Sequence, residues 1–182
     1  GTVPTAAPEA PAAVEPAATK PAEPAKPAPV TIADYAGSYR YVGGDSQRKG
    51  LEQAIEDAIL QLNPAIRGIG RKRLTKTNPI DDGLEIKLTG DKIQTIFTTG
   101  FDAEVTLDGG AVSWTSKKSG DKYKVRVVQK GNKLVQVIAG EDGVKTTVFV
   151  LSADKKKLTV NHKITSDRLQ IPMTYKLTYS RK

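Results

Sequence analysis

The chain has no cysteine, a single histidine and only ten aromatic residues in 182. Without thiols it has no disulfide staple, no thiolate nucleophile and no cysteine-based metal site, and one imidazole excludes any site that needs two. No apolar run is long enough to span a bilayer as a helix. G-x-S-x-G, HExxH, P-loop and dinucleotide fingerprints are all missing. Enzyme chemistry would have to rest on carboxylate, tyrosine or lysine groups with no visible constellation, so the sequence reads as a non-enzymatic protein with no cofactor and no metal site.

Proline is abundant at one end only. Eight of the 11 prolines and ten alanines fall in residues 1–30, GTVPTAAPEAPAAVEPAATKPAEPAKPAPV, with no periodic apolar face. Such a segment cannot build a core and is expected to be a disordered, extended spacer reaching at most about 90 Å at roughly 3.1 Å per residue. Residues 31–182 are left for one folded body, enough for one core. That body carries 26 Lys and Arg against 17 Asp and Glu, a net +9. The start at Gly1 without Met leads to the expectation of a processed upstream part. Ala/Pro spacers of this kind resemble those that follow the signal or lipid-anchored cysteine of bacterial envelope proteins, which implies a periplasmic or secreted setting and a membrane tether through an anchor ahead of Gly1. An interdomain linker has the same composition.

Within the body, Gly37 to Val42 alternates and reads as a first strand ended by Gly43-Gly44. Leu51, Ala54, Ile55, Ala58, Ile59 and Leu62 then recur at helical spacing, which predicts an amphipathic helix near 46–62. Asn63-Pro64 supplies a cap and a first-turn proline for a second helix near 64–74, with Ile66, Ile69 and Leu74 inside and the arginines outside. From Asp82 the period becomes two, and nine strands follow: near 84–89, 92–99, 103–107, 111–117, 122–129, 133–139, 144–151, 157–164 and 173–180. Connectors such as Lys130-Gly131-Asn132-Lys133 are too short for crossover helices, so neighbours are antiparallel. The predicted fold is mainly β: an antiparallel up-and-down barrel of about ten strands, its helix pair forming a lid after the first strand. An open sheet packed on the helices is the structural rival. Few aromatics and many Thr and Val make a wide interior hard to fill, which predicts a ligand or water cavity.

Candidate site residues follow from strand position. Arg126, mid-strand between valines, would fork onto a carboxylate or phosphate if it faced inward, and is solvated surface if it faces outward. On the last strand Lys176 and Thr178 share one face and Tyr175 and Tyr179 the other, so one pair points inward. Tyr39 sits on the first strand. Leu62, Ile66 and Ile69 mark the lid and portal. His162 alternates with Val160 and Ile164 and reads as an ordinary half-buried residue. Arg67, Arg71, Lys72 and Arg73 form a run with no acid among them, suited to an anionic membrane surface or simply to solubility.

The order strand, two helices and nine-strand meander resembles the calycins, and among them the fatty-acid-binding-protein-like barrels. Gly37-Ser38-Tyr39 stands where calycins carry Gly-x-Trp, and Leu84 to Ile93 looks like the family's second hairpin. The resemblance implies a helical lid and a small hydrophobic or amphipathic ligand with an anionic head. The family's carboxylate clamp, Arg-x-Tyr on the final strand, is matched only by Lys176-Leu177-Thr178. The functional expectation is therefore a monomeric, non-enzymatic, fatty-acid- or lipid-binding protein outside the cytoplasm. The alternative is a tethered adaptor with a filled core that binds an anionic surface through its basic lid segment. Nucleic acid is not expected, because too few aromatics are interleaved with the cations.

Overall fold

In the computed structural model, which describes residues 1–14, 16–19, 21 and 28–182, the alternating segments form one ten-stranded antiparallel sheet. The tether expected over 1–30 falls partly outside these, at 15, 20 and 22–27; its described residues carry no helix or strand, and of them Val30 alone is buried. The strands are β1 (Gly37–Tyr41), β2 (Gly83–Thr89), β3 (Lys92–Phe97), β4 (Glu104–Thr106), β5 (Val112–Thr115), β6 (Lys122–Lys130), β7 (Lys133–Ala139), β8 (Val144–Leu151), β9 (Lys157–Thr165) and β10 (Met173–Arg181). Two helices, α1 (Gly44–Leu60) and α2 (Arg67–Thr77), lie between β1 and β2.

The sheet order is β4-β3-β2-β1-β10-β9-β8-β7-β6-β5, so the first strand pairs with the last and β4 and β5 are the two ends. These ends share no ladder. The barrel is drawn nearly shut by side chains and turns instead: the Trp114 indole donates to Asp102 at 2.8 Å, and the Asp108 amide donates to the Val127 carbonyl at 2.9 Å. Asp108 holds a left-handed conformation, φ 60°, and its carboxylate accepts from the Gln129 amide at 2.8 Å, so both interactions pin the strained residue.

β1 is short and pairs only with the end of β10, through Tyr39↔Arg181, Arg40↔Ser180 and Tyr41↔Tyr179. The rest of that β10 edge would expose its backbone groups. α1 lies there in place of a strand and fastens to it with two glutamine amides. Gln47 accepts from the Thr178 amide at 2.7 Å and donates to the Thr178 hydroxyl at 2.8 Å. Gln61 accepts from the Ile171 amide at 2.9 Å and donates to the Ile171 carbonyl at 3.1 Å. The spacing suits this role, since the helix between the glutamines rises about 21 Å and the strand between their partners spans about 23 Å. The same helix turns Leu51, Ile55, Ala58 and Ile59 into the core.

α2 packs less deeply, and none of its eleven residues is buried. It packs closely on the end of α1 at Gly70, where a Cβ would stand 3.3 Å from Ile59 Cδ1 and 2.5 Å from Leu62 Cδ1 just beyond the helix. This overturns one expectation: Gly70 and Leu74 face inward, while Ile69, about 100° away on the helix, is 72% exposed.

Candidate functional site

Directly paired residues share a sheet face, so the registers identify the inward set. Along β7 it is Leu134, Gln136 and Ile138; along β8, Phe149, Thr147 and Lys145; along β9, Val160, His162 and Ile164. In each strand the order runs from the tail end of the barrel to the helix-covered end.

The tail end is solid. Leu134, Phe149, Leu158 and Val160 are completely buried. Tyr35, just ahead of β1, plugs the end: its hydroxyl donates to the Asn132 carbonyl at 2.7 Å and accepts from the Leu151 amide at 3.1 Å. Tyr39 lies beside it, donating to the Tyr35 carbonyl at 2.7 Å under the Arg181 guanidinium. Higher up, Thr95 on β3 donates to Gln136 on β7 at 2.8 Å, and the two are 2% and 1% exposed. β3 and β7 stand on opposite walls, so this contact fills the lumen and forms a floor.

Above the floor the inward residues of β7, β8 and β9 are only half-buried, while Val125 and Met173, paired with Ile138 and Ile164, stay buried. Phe97, Phe101, Trp114 and Tyr123 follow one another around the rim with ring centroids 6.0, 4.7 and 5.9 Å apart. Ile138, Lys145 and Ile164 continue the rim, and Leu74 and Ile80 border it from the helix side. Side chains that point inward and still reach solvent ring this end of the barrel, and α2, none of whose residues is buried, covers it only in part.

Lys145 is the cation of this inward set. Its ammonium lies 3.4 Å from the Thr77 carbonyl at the end of α2 and 5.9 Å from the centre of the Tyr175 ring, and among the described residues it has no ion pair. Burial pulls its pKa down to about 8, with Asp81 opposing weakly. The wall beside it is polar but satisfied: His162 Nδ1 lies 2.8 Å from the Thr147 hydroxyl, and Tyr175 donates to Asn78 at 3.1 Å. Burial, then the Lys145 charge, keeps His162 well below its ordinary pKa, so the ring is neutral at pH 7. Burial pushes the Tyr175 hydroxyl up.

The residues chosen from sequence divide sharply. Arg126, Lys176 and Thr178 do not reach the interior. Arg126 is exposed on the outer face, because its neighbours Val125 and Val127 are the buried ones. Lys176 lines a shallow groove of about 340 Å³ outside β8–β10 with Asn161 and Lys163, and Thr178 is taken by Gln47. The inward pair of β10 is Tyr175 and Tyr179; Tyr175 lies buried beside Lys145 and His162, whereas Tyr39 belongs to the plug. Leu62 and Ile66 are half-buried at the helix junction.

The basic run is largely occupied. Arg67 binds the Leu62 and Leu60 carbonyls at 3.1 and 3.3 Å, closing the end of α1. Arg71 makes a two-pronged contact with Glu56 at 2.7 and 3.0 Å, and Arg73 pairs with Asp142. Of the four, Lys72 alone has neither an ion pair nor a side-chain hydrogen bond among the described residues. The sequence reading passed over Lys145 and Tyr35. A lone lysine in Val144-Lys145-Thr146-Thr147-Val148-Phe149-Val150-Leu151 was the available signal, since every other residue of that strand is uncharged.

Solved structures share this fold, an antiparallel β-barrel with a helix pair after the first strand. Secretory abundant heat soluble protein 4 from Ramazzottius varieornatus matches with a TM-score of 0.50 at 14% identity, over 85% of this chain and 99% of its own. A REP1-NXSQ fatty acid transporter matches at 0.49 and 20%, over 83% and 98%. The Schistosoma mansoni fatty acid binding protein, solved in complex with arachidonic acid, matches at 0.48 and 15%, over 84% and 98%. At these identities the likeness is one of fold. No protein-family profile matches the chain, and no curated protein matches it.

Proposed function

We propose that the protein is a non-enzymatic carrier that takes a small amphipathic anion into the recess at its helix-covered end, on a Pro/Ala spacer in an extracytoplasmic setting. The hydrocarbon part would lie along Phe97, Phe101, Trp114, Tyr123, Ile138 and Ile164, and the head would meet Lys145. The carrying observation is the contrast in burial along the inward rows of β7, β8 and β9, sealed at the tail end and half-open at the other around a lysine that has no ion pair among the described residues. An anion there would supply the partner that Lys145 lacks, and a charge-assisted contact in a partly dry site is stronger than one in water. The filled floor limits the ligand to one half of the barrel. The adaptor reading has less support, because three of its four cations already serve internal contacts.

Trp114 is the sole tryptophan and sits on the rim, so its fluorescence reports binding directly. Titration with decanoate and decanol is expected to give saturable responses, with decanoate the tighter. Lys145→Met should erase that preference, a loss of about tenfold or more for decanoate. No saturable response to either compound would overturn the carrier reading.

A further inference from the structure

The chemistry around Lys145 extends beyond holding an anion. Its nearest polar neighbour is a neutral carbonyl, Thr77 O at 3.4 Å, and its nearest ring is Tyr175 at 5.9 Å. The titratable and charged groups turned toward it are Asp81 ahead of β2, whose carboxylate is already taken by the Thr99 amide at 2.7 Å, His162 on β9 and Tyr175 on β10. An amine so placed lies beside apolar rim residues, has no counter-ion among the described residues and is only half-buried.

Resting on the carrier reading, we infer that Lys145 is a covalent capture site for lipophilic aldehydes, which it holds in the recess as a reversible imine. The neutral amine adds its lone pair to the carbonyl carbon while the carbonyl electron pair moves to oxygen. A proton passes from nitrogen to that oxygen, giving a carbinolamine, and loss of one water leaves the C=N bond. One amine and one aldehyde thus give one imine and one water, with no oxidant or reductant. The surroundings favour each stage. Burial holds roughly a quarter of Lys145 as free amine at pH 7.5, against about one part in a thousand for an ordinary lysine. The apolar rim accepts the aldehyde's chain, and the floor beneath the recess keeps bulk water off one side of the imine.

The test exposes the full chain at pH 8 to limiting decanal with cyanoborohydride, which fixes imines as alkylamines, and locates the label by peptide mass mapping. The expected result is one alkyl group at Lys145, appearing at least about tenfold ahead of the surface lysines, as its larger free-amine fraction requires. Excess decanoate should slow that modification selectively, and Lys145→Arg should leave only the slow surface labelling. A parallel decanol titration of the unmodified protein separates the two readings. Label scattered over surface lysines and indifferent to decanoate, with decanol binding intact, overturns the imine and leaves the carrier. Scattered label with no decanol response overturns both.

Discussion

Four residues separate Leu134 from Ile138 on β7, Phe149 from Lys145 on β8, and Val160 from Ile164 on β9, yet the first of each pair is sealed and the second half-exposed. All six face the same interior. What differs is the closing element. At the tail end Tyr35 spends its hydroxyl on strand backbone, and across the middle Thr95 and Gln136 join opposite walls. At the other end the roof includes α2, which buries none of its residues. Strand pairing alone therefore does not decide whether such a barrel is hollow. The few side chains that cross it do, and here they fill the tail end and the middle.

Truncation should separate the two halves most widely. Leu134→Ala or Phe149→Ala is expected to cost about 3–5 kcal/mol in urea unfolding, since each opens a cavity in packed surroundings. Ile138→Ala or Ile164→Ala should cost about 1 kcal/mol, because part of the side chain is already wet. Equal losses would break the distinction. Thr95→Val comes next, at about 1–3 kcal/mol, because it keeps the shape but strands the Gln136 oxygen in the dry floor. Adding Gln136→Leu should restore part of that loss, and if it does not, the contact is worth no more than its packing.

The helix-covered half should also answer to pH through His162 and Lys145. The folded state holds a proton on His162 less well than the unfolded chain does, so below about pH 6.5 the unfolded chain takes up more protons and stability falls. Lys145 has the same sign in another window: between about pH 8 and 10 the unfolded chain holds the extra proton, so stability rises with pH there. Above about pH 10 the tyrosines of both halves reverse the trend, because burial keeps Tyr35, Tyr39, Tyr175 and Tyr179 protonated in the fold while unfolded tyrosine ionises. Chemical denaturation across this range checks the signs. His162→Asn should flatten the acid limb and Lys145→Met the limb above pH 8. An unchanged acid limb would mean that other groups set it.

Much of the scaffold was legible because period-two alternation and short polar turns determine antiparallel neighbours locally. Lys130-Gly131-Asn132-Lys133 became the β6–β7 turn, and the Leu51-to-Ile59 stripe became the buried face of α1. Which face of each strand turns inward was harder to read. In β6 both alternate rows contain valine, and only the cross-strand register shows that Val125 and Val127, not Arg126, look inward. The floor was equally hidden, since Thr95 and Gln136 are 41 residues apart and neither is unusual in its own strand. The basic run misled for a related reason: absence of acids nearby in sequence says nothing about Glu56 and Asp142, which approach from α1 and the β7–β8 connector.

The smallest expected effect tests how the roof is attached. If α1 stands in for a missing strand, its glutamines do for β10 what a ladder would, and each removal should free a specific backbone amide. Gln61→Ala is expected to cost about 0.5–1 kcal/mol, as its contacts lie near solvent, and Gln47→Ala about 1 kcal/mol or slightly more, as its own are partly buried. Hydrogen exchange gives the sharper reading. The Ile171 amide should exchange faster only in the first variant and the Thr178 amide only in the second, with Leu134 and Phe149 unchanged in both. If neither amide quickens, α1 is held by Leu51, Ile55 and Ile59 alone. If Leu134 quickens too, roof and floor open as one unit and the two halves are not independent.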